Sequence, residues 1–122
     1  LLVDRLDRKG FALLYIDIDH FKHVNDSMGH PAGDALLVEV ARRLKLLLRK
    51  GDIVARLGGD EFALIFMLDG ASSAESAALA ADVMAAFAEP FDLDGVMEHV
   101  DCSVGIALSP HDGEDVNTLL RN

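Results

Sequence analysis

After Gly10 the chain runs through six apolar residues, Phe11-Ala12-Leu13-Leu14-Tyr15-Ile16, and stops abruptly at Asp17-Ile18-Asp19. A short continuous apolar run between a glycine and acids predicts a strand buried on both faces, with two carboxylates at its exit. Over residues 31–49 the period changes. Leu36, Val40, Leu44 and Leu47 or Leu48 fall on one stripe, while Glu39, Arg42, Arg43 and Lys45 lie mainly elsewhere. This predicts an amphipathic helix with Pro31 in its first turn, where the missing N–H costs nothing. Gly51-Asp52 ends it, and residues 53–57 and 61–68 read as two strands joined by a tight turn at Gly58-Gly59-Asp60. Ser72 with Glu75 has capping-box spacing and opens an Ala-rich helix that keeps Leu79, Val83 and Phe87 in register until Glu89-Pro90. Asp94-Gly95 then turns the chain into one long strand over residues 96–108. Strict alternation puts Val100, Cys102, Val104, Ile106 and Leu108 on one face of it and small or polar residues on the other.

Strands alternating with helices around a central hairpin predict an α+β domain with a mainly antiparallel sheet flanked by helices, since a short turn forces its strands to run in opposite directions. No internal repeat or linker divides it. The stretch from Leu1 to Lys9 reads as the end of a helix and Leu119-Leu120-Arg121-Asn122 as the start of another, so the domain is expected to be truncated at both ends.

Composition narrows the function classes. With 122 residues, 51% of them apolar and 26% charged, the chain has the size of one domain with a single core. Lys and Arg number 11 against 21 Asp and Glu, a formal charge of −10 that repels nucleic-acid phosphates. A nucleotide ligand would therefore need metal ions or a few placed basic side chains to meet its phosphates. The lone Cys102 excludes an internal disulfide and reads as a small core residue in a reducing compartment. No apolar run approaches the ~20 residues that cross a bilayer and no signal stretch opens the chain. A cytoplasmic location is expected, whether or not the parent protein is membrane-tethered.

Two acidic constellations carry candidate chemistry. Asp17-Ile18-Asp19 at the end of an apolar strand is either a solvated strand end with an Asp helix cap or a place where a cation offsets buried charge. It is not a calcium loop, because Phe21 stands where a third oxygen ligand belongs and Lys22 where the glycine of the sharp turn belongs. Gly58-Gly59-Asp60-Glu61-Phe62 is either an ordinary polar hairpin tip or a surface on which glycines admit a phosphate beside metal-ligating acids. Carboxylates from two neighbouring strands are the usual means of holding Mg²⁺ between protein and nucleotide phosphates. His20, His23, His99 and His111 show no zinc spacing.

Taken in series, these residues resemble a known family. Asp17-Ile18-Asp19-His20-Phe21-Lys22-His23-Val24-Asn25-Asp26, Gly29-His30, Gly33-Asp34, Arg56-Leu57-Gly58-Gly59-Asp60-Glu61-Phe62 and Ser103-Val104-Gly105-Ile106-Ala107 are similar, in order and spacing, to the GGDEF diguanylate cyclases across nearly the whole chain. The resemblance implies a sheet like the palm of nucleotide cyclases and polymerases, with a ferredoxin-like core. It also implies condensation of two GTP into cyclic di-GMP across a homodimer, using two Mg²⁺ (or Mn²⁺) ions per site. On that basis Asp17, the Ile18 carbonyl and Asp60 would be metal ligands, with Asp60 or Glu61 the proton acceptor. Lys22 would stabilise phosphoryl charge, Asn25 and Asp34 would read guanine, and His30 and Phe21 would be further substrate contacts. A carboxylate can accept from both N1–H and the exocyclic amine of guanine, which favours GTP over ATP. Arg49-Lys50-Gly51-Asp52, separated by five residues from Gly58, matches the family's R-x-x-D inhibitory site, where Arg49 and Asp52 would bind the product. The family's usual L-T-x-L-x-N-R-like opening and its closing basic helix are absent here, and the C-terminal run is similar in style to GGDEF domains that precede an EAL phosphodiesterase. The resemblance therefore also admits a catalytically weak GTP-binding module that regulates an attached EAL domain, with sensory domains as further neighbours.

Overall fold

A computed structural model describes residues 10–68 and 73–109. The expected helices at the two ends and the Ser72 cap lie outside them. In chain order the elements are β1 (Phe11–Ile18), α1 (Phe21–Met28), α2 (His30–Leu47), β2 (Ile53–Arg56), β3 (Glu61–Met67), α3 (Ser73–Ala86), β4 (Phe91–Leu93), β5 (Val96–Glu98) and β6 (Cys102–Ser109). Four strands form one sheet in the order β2-β3-β1-β6, antiparallel at every pairing. With α1 and α2 between β1 and β2, and α3 between β3 and β6, this is the ferredoxin-like connection, here carrying a separate β4–β5 hairpin before its last strand.

The apolar run that predicted a two-faced strand is β1, the central strand beside β3 and β6. Ala12, Leu14, Ile16 and Ile18 point toward the helices and are fully buried with Leu36, Val40, Leu44 and Val83. Phe11 and Leu13 point the other way and pack with Ala63, Ile65 and Met67. Cys102 is buried as expected, and burial pushes its thiol up to about 11.

Two expectations are corrected. The predicted strand over 96–108 is two strands in two sheets. Val96–Glu98 pairs with Phe91–Leu93, and the chain resumes pairing only at Cys102, after Asp101 gives its carbonyl to the Asp19 N–H at 3.0 Å. All three residues of β5 are exposed, so the alternation that begins at Val100 does not extend back to Val96. Within β6 the alternation holds for Cys102 and Leu108, whereas Ile106 is 44% exposed. The second correction is an addition. The motif between residues 20 and 30 contains the helix α1, entered through His20 in the left-handed region (φ 59°) and packed by Phe21, Val24 and Met28 at helical spacing. Phe91 and Leu93, either side of Asp92, form the short strand β4, which the sequence reading also left unassigned.

Arg43, which the helical wheel puts off the core stripe, binds the layers together. Its Nη1 donates to the carbonyls of Ala86 at 2.9 Å and Glu89 at 2.7 Å, its Nη2 to that of Pro90 at 2.7 Å, and its Nε to Glu39 at 2.7 Å. The guanidinium lies 3.8 Å from the centre of the Phe91 ring. It thereby satisfies the carbonyls that α3 and its exit leave orphaned, and ties α2 to β4. Hydrogen bonds from Arg42 and then Arg43 hold the Glu39 carboxyl at about 2, below its usual value of 4.5.

Arg43→Ala strands these carbonyls and is expected to lower the unfolding free energy by about 2–4 kcal/mol in urea titrations. Because Glu39 binds its proton less readily when folded, its stabilisation is complete above about pH 4.5 and lost as the pH falls through about 2. Glu39→Gln should therefore show a flatter stability curve than the wild type in that window.

Candidate active site

Antiparallel pairing makes the exit of β1 coincide with the entry of β3. Asp17 stands opposite Glu61, and the Ile18 N–H donates to the Asp60 carbonyl at 3.0 Å. The loop before Asp60 is closed by the Leu57 N–H on the Glu61 carbonyl at 2.8 Å. Arg56 secures it further, donating from Nε to the Gly58 carbonyl at 2.9 Å and from Nη2 to that of Gly59 at 3.0 Å. The glycines do not serve the turn through positive φ: among the described residues the positive-φ glycines are Gly10, Gly29, Gly51 and Gly95. A Cβ at Gly59 would meet nothing within 4 Å, and one at Gly58 would meet only Glu61 at 3.6 Å. The chain's own packing does not require these two glycines, and their absent side chains leave open surface beside the acids.

At that end the Asp60 carboxyl group lies close enough to that of Asp17 to act on its charge. Burial, then the charges of Asp60 and Asp19, raise the pKa of Asp17 above the ordinary carboxylate value. Asp19 accepts a hydrogen bond from the Ser103 Oγ at 2.8 Å. Two neighbouring carboxyl groups, with no ion pair to either among the described residues, repel each other in a way that a divalent cation would relieve. Among the described residues no group of three His, Cys, Asp or Glu is placed to hold a metal. A pair of carboxylates fits Mg²⁺, which keeps several waters and is shared between one or two carboxylates and substrate phosphates instead of being caged by protein.

The remaining predicted residues lie on the helices. Phe21 opens α1, half-buried against the core, and Lys22 beside it is exposed. Asn25 is one turn after Phe21 and half-buried. His30 begins α2, and Asp34 follows one turn later, both exposed. Asp34 lines a cavity of about 550 Å³ whose other walls include Arg43, Pro90 and Met97. Ile18 is placed with its side chain in the core and its backbone at the acid end.

Arg49 and Asp52 are engaged with each other. The Asp52 side chain is 1% exposed, accepts from the Arg49 backbone N–H at 2.8 Å and Nε at 3.0 Å, and accepts the Met67 N–H at 2.9 Å. Arg49 also donates from Nη2 to the Met67 carbonyl at 3.0 Å. The pair thus joins the exit of α2 to the end of β3, with half of Arg49 left facing solvent. Sequence reasoning did not find the support roles of Arg56 and Ser103. Arg56 directly precedes the glycine loop, but which carbonyls it reaches depends on how that loop folds.

The profile of the GGDEF family, described as "Diguanylate cyclase, GGDEF domain", matches residues 2–122. The chain is 43% identical over 118 residues to cyclic di-GMP phosphodiesterase NbdA of Pseudomonas aeruginosa, covering 97% of this chain and 15% of that protein. It is 41% identical over 116 residues to diguanylate cyclase TpbB of the same species, covering 94% of this chain and 26% of that protein. These curated relatives are thus several times longer than the segment they share with it. Among solved structures, a GGDEF-only form of TpbB from P. aeruginosa superposes with a TM-score of 0.89 at 39% identity, covering 98% of this chain and 73% of that one. A sensory box/GGDEF protein from Caulobacter crescentus gives 0.90 at 40% identity, covering 98% and 78%. Profile, identity, antiparallel sheet and the acid pair at its end agree, and the chain belongs to the GGDEF family.

Proposed function

We propose that this domain is the catalytic unit of a diguanylate cyclase, joining two GTP molecules into cyclic di-GMP. The observation that carries the reading is the closeness of the Asp17 and Asp60 carboxyl groups at the shared end of β1 and β3, beside a glycine surface that the fold does not otherwise need. Divalent ions bound there, Mg²⁺ or Mn²⁺, would offset phosphate charge and acidify the attacking 3′-hydroxyl. Asp17, Asp60 and the Ile18 carbonyl supply the protein's share of the ligands. Glu61, opposite Asp17 in the register, stands with Asp60 where a proton leaving the 3′-hydroxyl can be accepted. The open backbone at Gly58 and Gly59 lets the triphosphate approach, and exposed Lys22 supplies positive charge to the phosphoryl group. Asn25 and Asp34, with Phe21 and His30 beside them, orient the guanine. One such site holds one GTP, so joining two requires a second copy of the domain face to face with the first. Product feedback through the R-x-x-D motif would use the exposed half of Arg49, since both oxygens of Asp52 are occupied within the fold.

A second reading is favoured by the relatives. NbdA and PdeR of Escherichia coli are named as cyclic di-GMP phosphodiesterases and share this domain over 97% and 98% of the present chain. In that reading the domain binds GTP without condensing it and regulates an attached EAL domain.

With GTP and Mg²⁺ the parent protein should form cyclic di-GMP, and Asp17→Asn or Asp60→Asn should each lower the rate at least ~100-fold. GTP binding by the wild type without product selects the regulatory reading, and no binding at all sinks both. Without divalent ions, Asp60→Asn relieves the repulsion on Asp17 and should raise the melting temperature by about 2–4 °C. Added Mg²⁺ should then stabilise the wild type more than this variant, and equal shifts would exclude a cation between the two acids.

A further inference from the structure

The last turn of α1 lies directly on the first turn of α2. The Gly29 N–H donates to the Asn25 carbonyl at 2.9 Å, and the Gly33 N–H donates in turn to the Gly29 carbonyl at 3.2 Å, with Gly29 at φ 93°. This double step brings the Asn25 side chain over the backbone of Gly33, which is buried. A Cβ built on Gly33 would overlap Asn25 Oδ1 and stand 2.8 Å from its Cγ, closer than real Cβ contacts allow. No comparable obstruction exists at Gly58 or Gly59. Gly33 has an ordinary helical conformation, so its backbone does not require glycine, and inside a helix glycine is less favourable than alanine. What glycine supplies here is the volume occupied by the Asn25 carboxamide. That carboxamide makes no hydrogen bond among the described residues, which leaves its donors and acceptor free for a ligand.

We infer that Gly33 is a positioning residue for guanine recognition: by lacking a side chain it lets Asn25 sit in the crevice between α1 and α2 in the orientation that meets the base. The inference rests on the reading of Asn25 as a base contact and adds a residue that touches no ligand itself. Any side chain at position 33 would rotate the carboxamide out of the crevice while leaving Asp17, Asp60 and the sheet untouched.

The test is a double-mutant cycle on the intact protein, comparing wild type, Gly33→Ala, Asn25→Ala and the double variant. Calorimetric titration with GTP and thermal melting are the two readouts. In the wild-type background Gly33→Ala should weaken GTP binding about tenfold, the loss of one hydrogen bond to a base edge. In the Asn25→Ala background it should change affinity less than about twofold, because the side chain it displaces is gone. Melting should show the same coupling. Alanine at 33 should raise the melting temperature by ~3 °C or more where Asn25 is absent, as helix propensity dictates, and by less where Asn25 is present. Equal losses of GTP affinity in both backgrounds, or no loss in either, would overturn the positioning role. If none of the four proteins binds GTP, the base-site reading itself fails, whereas additive melting shifts would overturn the packing of Asn25 on Gly33 independently of any ligand.

Discussion

The antiparallel pairing of β1 with β3 is the constraint on which the rest of the domain depends. It fixes Asp17 opposite Glu61, and the last bond of the ladder, from the Ile18 N–H to the Asp60 carbonyl, pulls the hairpin tip against the strand exit. A slip of one residue would turn Asp17 toward the helices and Ile18 toward solvent, exchanging a buried aliphatic side chain for a buried charge. The apolar residues on the helical face, Ala12, Leu14, Ile16 and Ile18, thus enforce the register that brings two acids together. The energy of the core is spent in part on holding two like-charged groups near each other.

Around this sheet the helical layer is fixed by a few polar contacts. Arg43 fastens the last turns of α2 to the end of α3 and to Phe91, while Arg49 and Asp52 fasten the exit of the same helix to β3. At the first turns of the same helix, the close crossing at Gly33 sets α1 against α2, and with it Asn25 and Lys22. The acids at the sheet end and the residues proposed to read the base on the helices belong to different layers, so their relative placement is a property of how those layers pack.

Several features were readable in the order of residues because their physics is local. The uninterrupted apolar run marked β1, the period of Leu36, Val40 and Leu44 marked α2, and the glycine-rich interval marked the hairpin; each reports burial or turn chemistry within a few residues. The motif series identified the family for a related reason, since its spacing is fixed by the lengths of those same elements. The β4–β5 hairpin escaped this reading: β4 offers only Phe91 and Leu93, and β5 exposes every side chain, so neither leaves a long periodic trace. Helix α1 was hidden because its eight residues are largely polar and its apolar contacts, Phe21, Val24 and Met28, are only half-buried.

The sequence by itself determined β1, α2, the antiparallel hairpin and the inventory of acids, because each depends on neighbours a few positions away. Only the tertiary structure decided that Asp17 meets Asp60, that Arg43 closes three carbonyls more than forty residues downstream, and that Asn25 occupies the space a side chain at Gly33 would need. Those contacts join segments whose separation along the chain carries no periodic signal, and they exist only once the sheet register and the helix crossing have been set.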